Sequence, residues 1–287
     1  MKVGIQLKKI ILIFLSLVIA SQLFLYLSNS SWLPFGTQGD QAEVTDSTSM
    51  IEIDVSGVST TIISESRSDL KTDLEGKGNV TVTKHGDSIQ VEYKRKWYEL
   101  FSGFNSPKLT VYLPVDYNRD MELDIGSGSL DFSDSGMKLN TLSLDVDSGQ
   151  VHLKELSAGE FNHEVSSGSV TIESLAVHSG KFEVSSGKVD IKNYSGKLDA
   201  DVSSGKFDVQ MDKLTDSIDI KVSSGMASLG LPNEANFTLN GKVSSGIIRN
   251  DFPLNEATEN KNHVGGTHGT GEHKVDISVS SGMITIN

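Results

Sequence analysis

Val165-Ser166-Ser167-Gly168 is the stretch whose recurrence decides the fold. Val-Ser-Ser-Gly returns ending at Gly187, Gly205, Gly225, Gly246 and Gly282. Two looser copies come before it, Ile125-Gly126-Ser127-Gly128 and Val146-Asp147-Ser148-Gly149. From Gly128 to Gly246 the steps are 21, 19, 19, 18, 20 and 21 residues, the mark of a structural array. The last step, 36 residues, is close to two periods or to one period plus a long loop.

One unit shows the pattern. Phe182 and Val184 alternate with Glu183 and Ser185, which is strand periodicity with one apolar face. Beyond Gly187, Val189 and Ile191 alternate with Lys188 and Asp190. Val184 and Val189 are an odd number of positions apart, so the chain turns or bulges at Ser-Ser-Gly. Gly is expected there for its backbone freedom and Ser for its local hydrogen bonds. A coil of about 19 residues does not bury its apolar side alone, so neighbours stack on it. The expected fold is all-β, a flattened parallel β-solenoid with two short strands per coil. Seven or eight coils at roughly 4.8 Å each give a rod about 35–40 Å long, with the serines in ladders along one corner. No His recurs beside those serines to act as a base, so they are read as structural.

The chain begins differently. Lys2, Lys8 and Lys9 precede an apolar run, 10–27, long enough for a single-pass N-terminal transmembrane helix with the basic flank in the cytoplasm. The competing reading is a signal peptide cleaved after Val18-Ile19-Ala20. The apolar run continues past that point, which favours residues 1–27 as an uncleaved anchor. With no Cys in the chain, disulfides and a lipoprotein anchor are excluded. Residues 28–50 are polar and aperiodic, as in a tether.

Residues 51–120 alternate like strands without the Ser-Ser-Gly marker and are expected to cap the first edge of the array, which then fills 121–287. Asp54-Val55-Ser56-Gly57 reads as a degenerate copy. One cluster here opposes the acidic trend: Lys94, Arg95, Lys96, Trp97 and Tyr98. The net charge is −13, and leaving out the three N-terminal lysines takes it to −16. In such a field a basic-aromatic patch suits anionic head groups or wall polymer. The plainer alternative is a strand end followed by a hydrophobic loop. An acidic body argues against nucleic acid as a partner.

Metal readings rest on two features. Asp145 with Asp147 and Asp199 with Asp201 are paired carboxylates, but the glycine-rich Ca²⁺ nonapeptide of β-rolls is absent. In the Gly/His-rich loop expected at 255–273, His263, His268 and His273 with Glu272 are weak candidates for a transition-metal site. A flexible surface loop is the alternative. No enzyme motif is present, so neither catalytic residues nor cofactors are expected.

Leu109-Thr110-Val111-Tyr112-Leu113-Pro114, the stretch from Met121 to Leu130 and the Val-Ser-Ser-Gly units resemble the bacterial "putative adhesin" β-strand-repeat family. With a single N-terminal anchor, the chain is similar to LiaG-like proteins within it. That resemblance implies a non-enzymatic, extracytoplasmic envelope protein in a cell-envelope stress context. Two function classes stay open: a rigid surface module that contacts wall polymer, and a sensor or accessory subunit acting on other membrane proteins through its anchor. A metal- or Ca²⁺-binding surface module is a distant third, and the sequence is silent on oligomeric state.

Overall fold

The computed structural model describes residues 37–94, 106–133 and 136–287. The proposed anchor and residues 28–36 of the tether lie outside the described residues, as do Arg95, Lys96, Trp97 and Tyr98; the rest of the tether carries the strands Thr37–Gly39 and Gln41–Glu43. Every regular element described is a β-strand, and Gln38–Asn287 forms one compact unit.

Each level of the stack is a strand, a corner and a second strand. Along the first column, neighbours pair in parallel in the order Ser88–Lys94, Met50–Val55, Asp120–Ile125, Lys138–Val146, 157–165, 179–184, 197–202, Ile218–Val222, His273–Val279 and Phe237–Val243. The second column follows the same order, from Lys108–Pro114 and Val58–Glu65 to Met283–Ile286 and Ile247–Asn250. Register puts like on like. Val55, Ile125, Val146, Val165, Val184, Val202, Val222 and Val279 form one column, each at most 1% exposed. Burying each such side chain contributes about 1.5–3 kcal/mol, and no coil achieves that without its neighbours.

Three features differ from the sequence expectation. First, two of the levels, at residues 50–65 and 88–114, come from the stretch expected to be a cap. The cap proper is antiparallel: Asn79–His85 lies on Ser88–Lys94, Asp69–Glu75 on Lys108–Pro114, and Gln41–Glu43 on Asp69–Glu75. Second, the coil has more than two sides in the middle of the array. Gln150–Val165 and Ser169–Val184 run as unbroken strands. Buried positions step by three at Leu153/Leu156 and Ala158/Phe161, as they do at Val165/Gly168. Each such step leaves two neighbouring residues facing out, so the chain bends there as well.

Third, the levels are out of chain order at both ends. The 50–65 level sits between 88–114 and 120–133. The 273–286 level sits between 218–230 and 237–250. The 36-residue step is therefore one coil plus a hairpin. After Asn250 the chain forms Asn255–Asn260 and His263–His268, which cover the edge of Phe237–Val243, and then returns beneath it. The expected flexible loop is an ordered hairpin because that edge offers it a row of unpaired backbone groups.

The corner glycines are also needed for a different reason. None of those from Gly149 to Gly282 that end a copy has a positive φ. Instead, a Cβ added to Gly187 would lie 2.6 Å from Gly168 O and 2.6 Å from a Val165 methyl. The backbone of each corner rests directly on the one below. Ser185 N donates to Val165 O at 2.9 Å, Ser186 N to Ser166 O at 2.8 Å and Lys188 N to Gly168 O at 2.9 Å. From Gly149 onward the ladder expected of serine side chains is made by the main chain, while Ser56 and Ser127 hydroxyls, 3.1 Å apart, form a side-chain rung.

The core holds one titratable surprise. Phe161, Phe182 and Phe207 stack with ring centroids 5.5 and 5.3 Å apart. His163 sits beside Phe161 and Phe182, 3% exposed. Its Nδ1 donates to Leu144 O at 2.8 Å, and Nε2 has no hydrogen-bond partner. Burial pushes the imidazole down to about 4, with the Leu144 bond acting in the opposite direction.

Two predictions follow from this packing. Gly187→Ala should lower stability by about 1–3 kcal/mol through overpacking, whereas Lys188→Ala, exposed and paired only with Asp190, should change it by no more than about 0.5 kcal/mol. Urea melts of the two variants check this, and equal effects would place the corner wrongly. The second concerns pH. In the unfolded chain His163 binds a proton near 6.5, but in the fold only near 4, so between those values folding expels a proton and stability falls with falling pH. The loss reaches roughly 3 kcal/mol at the acid end. Asp54, Asp124 and Asp145 are raised in the fold and work in the opposite sense, their contribution growing as pH falls through their folded values. His163→Phe should flatten the acid-side decline between pH 6.5 and 4.5; an unchanged slope would mean the imidazole is solvated.

Candidate functional site

Three surface features are built by the repeat itself. Along the corner, Ser148, Ser167, Ser186 and Ser204 form one wall of an open groove of about 490 Å³, and Gln150, Ser169, Lys188 and Lys206 form the other. Its floor is glycine, from Gly149 to Gly205, because nothing larger fits between levels. The groove holds no His, Asp or Glu, and its two lysines are paired with Asp190 and Asp208, so its hydroxyls have no positioned base.

The second feature is a row of carboxylates on the first-strand column. Glu92, Asp54, Asp124, Asp145, Glu164, Glu183 and Asp201 are register neighbours, one per level, before Lys221 ends the run. Strand spacing holds like charges about 4.8 Å apart. The consequences are visible at three exposed members of the row. Asp124 is raised by desolvation and then by Asp54, Asp145, Asp147 and Glu122. Asp54 is raised by desolvation and Glu92, and Asp145 by desolvation and Asp147. Sequence reading found Asp145/Asp147 and Asp199/Asp201 along a strand but not this row across strands.

On the second-strand column, His152 bridges levels: Nδ1 lies 3.1 Å from Asp131 and Nε2 3.0 Å from Glu173. Lys192 approaches the same Glu173 at 3.8 Å. Both ring nitrogens are engaged by carboxylates, so this is a surface staple across levels.

The histidines of the 255–273 segment are not brought to one point. His263 and His268 are five residues apart on one strand, an odd number, which turns them to opposite faces. His268 packs against Phe252 at 5.0 Å and Phe237 at 5.5 Å, with Nδ1 2.9 Å from Pro253 O. His273 begins the next strand, and Glu272 is exposed. Among the described residues, no three of His, Asp and Glu are placed to hold a metal.

Of the basic-aromatic cluster, only Lys94 lies within the described residues. It closes its strand, exposed, and pairs with Glu92 at 2.7 Å. The segment that follows it connects Ser88–Lys94 to Lys108–Pro114.

A protein-family model described as Toastrack DUF4097 matches residues 48–287. Among solved structures, a "putative adhesin" from Parabacteroides distasonis is similar with a TM-score of 0.53 and 15% identity, over 88% of this chain and 97% of that one. A "putative adhesin" from Bacteroides fragilis aligns with a TM-score of 0.49 and 13% identity, over 88% and 97%. The first of these is a likeness of fold. No curated protein matches the sequence.

The histidine placement predicts that neither zinc nor a chelator shifts the melting temperature, and that His263→Ala behaves like the parent in both. A zinc-dependent rise lost in His263→Ala would reinstate the metal reading.

Proposed function

The chain belongs to the Toastrack DUF4097 family, and on that premise we propose that it is a non-enzymatic protein of the bacterial cell envelope. In this reading residues 10–27 anchor it in the cell membrane, the basic start stays cytoplasmic, and the β-rod stands outside as a binding surface. The observation that carries the proposal is the regularity of the rod. Among the described residues its interior is filled by packed apolar side chains, and its outer face repeats polar groups in rows along the stack. Such a surface suits attachment along an extended polymer or protein better than turnover of a small molecule. The names given to the structural neighbours, "putative adhesin", point the same way for those proteins. The resemblance to LiaG-like proteins adds envelope stress as the setting.

The test has two parts. The protein should fractionate with membranes and keep Met1 as its N-terminus; sequencing that starts at Ser21 would replace the anchor by a cleaved leader. Purified in mild detergent, it should bind isolated cell wall. Stoichiometric co-purification of a membrane protein without wall binding would instead favour an accessory subunit working through its anchor.

A further inference from the structure

The stack is closed unequally. At its first level both columns are covered, by Asn79–His85 and by Asp69–Glu75. At its last level the hairpin covers only Phe237–Val243. The other last strand, Ile247–Asn250, pairs with Met283–Ile286 on one side and with no strand on the other, among the described residues. Ile247 N donates to Gly282 O at 3.0 Å and Asp251 N to Ile286 O at 2.9 Å. Parallel pairing alternates, so the N–H and C=O groups of Ile248 and Asn250 point off the end of the stack.

Other observations fall at the same place. Met226, 53% exposed, and Ile247, 45% exposed, are the exposed large apolar residues among those described, and register joins them through Met283. They form an apolar row that runs along the corner to the open edge. Arg249, on the edge strand, is exposed, and its guanidinium has no ion pair or hydrogen bond among the described residues, although the chain is strongly acidic. Asn250 Oδ1 is buried with no hydrogen-bond partner. An open edge, an apolar strip and an unpaired cation are what strand addition uses: backbone bonds for affinity, side chains for choice.

We propose that Ile247–Asn250 is a docking edge for an extended peptide of another protein, one that carries a carboxylate opposite Arg249 and an apolar residue beside Ile248. Charge selects that occupant. The register row that ends in Arg249 carries Asp190 and Asp208 at earlier levels, so a strand of the Lys-Val-Asp-Ile type continues the stack with its carboxylate beside the guanidinium. This goes beyond the envelope reading, since it needs neither wall polymer nor the anchor.

The probe is a fluorescein-labelled synthetic peptide copying residues 184–193, Val-Ser-Ser-Gly-Lys-Val-Asp-Ile-Lys-Asn, read by anisotropy against the full-length chain in mild detergent. Saturable binding is expected, weakened at least about tenfold by Arg249→Glu, as for a charge-assisted pair. The same peptide with Asp190→Lys should bind the parent poorly and recover on Arg249→Glu. Ile247→Asp should weaken both peptides, with circular dichroism confirming the fold of each variant. No saturation by about 1 mM peptide, or binding that ignores Arg249→Glu, would overturn the assignment. A dimer of the parent chain that Arg249→Glu dissolves would also overturn it, giving the edge to a second copy.

Discussion

Contact between main chains at the Ser-Ser-Gly corner is the constraint on which the remaining structure depends. Levels in a parallel stack are separated by one strand spacing everywhere, including where the chain bends. On the straight sides, side chains point away from the neighbouring level and impose little. At the corner the backbone turns so that a Cβ at Gly187 would run into Gly168 O. Only a residue without one lets the ladder from Val165 O through Gly168 O continue unbroken around the bend. Val165 and Val184 then fall in register, and the apolar column follows from the corner.

The same constraint explains the surface. Because register is fixed at every corner, each outward position becomes a row along the rod, and any charge used more than once becomes a charged row. The seven carboxylates from Glu92 to Asp201 are such a row. Water and ions screen much of the repulsion at the exposed members. At Asp54, Asp124 and Asp145, exposed like their neighbours, partial desolvation and adjacent carboxylates still disfavour the charged form. The groove of serines is the uncharged counterpart of the same rule.

Much of this was legible in the sequence because a repeat shows itself without any knowledge of contacts. The period, the parity break at Ser-Ser-Gly and the inward valines all follow from spacing alone. Phe161, His163 and Val165 alternate too, and the parity that buries the outer two buries the histidine between them. Reading His163 as polar, and so as surface, hides it. What spacing does not contain is neighbour identity. Near-identical corners fit one on another in any order, so no residue of Val279-Ser280-Ser281-Gly282 announces that it lies below, rather than above, the level ending at Gly246. The glycines show the same limit: their position was evident, but the reason for them lies in another level, reached by Gly187 at Gly168 and by Gly282 only at Gly225.

The interlocked last levels have a mechanical meaning. The final strands of the chain, His273–Val279 and Met283–Ile286, are held by ladders on both faces, whereas an end level in simple chain order would be held on one. A pull on Asn287 therefore loads two rows of hydrogen bonds together along the strand direction. Such a strand yields by shear rather than by peeling open one bond at a time, a clasp instead of a loose thread.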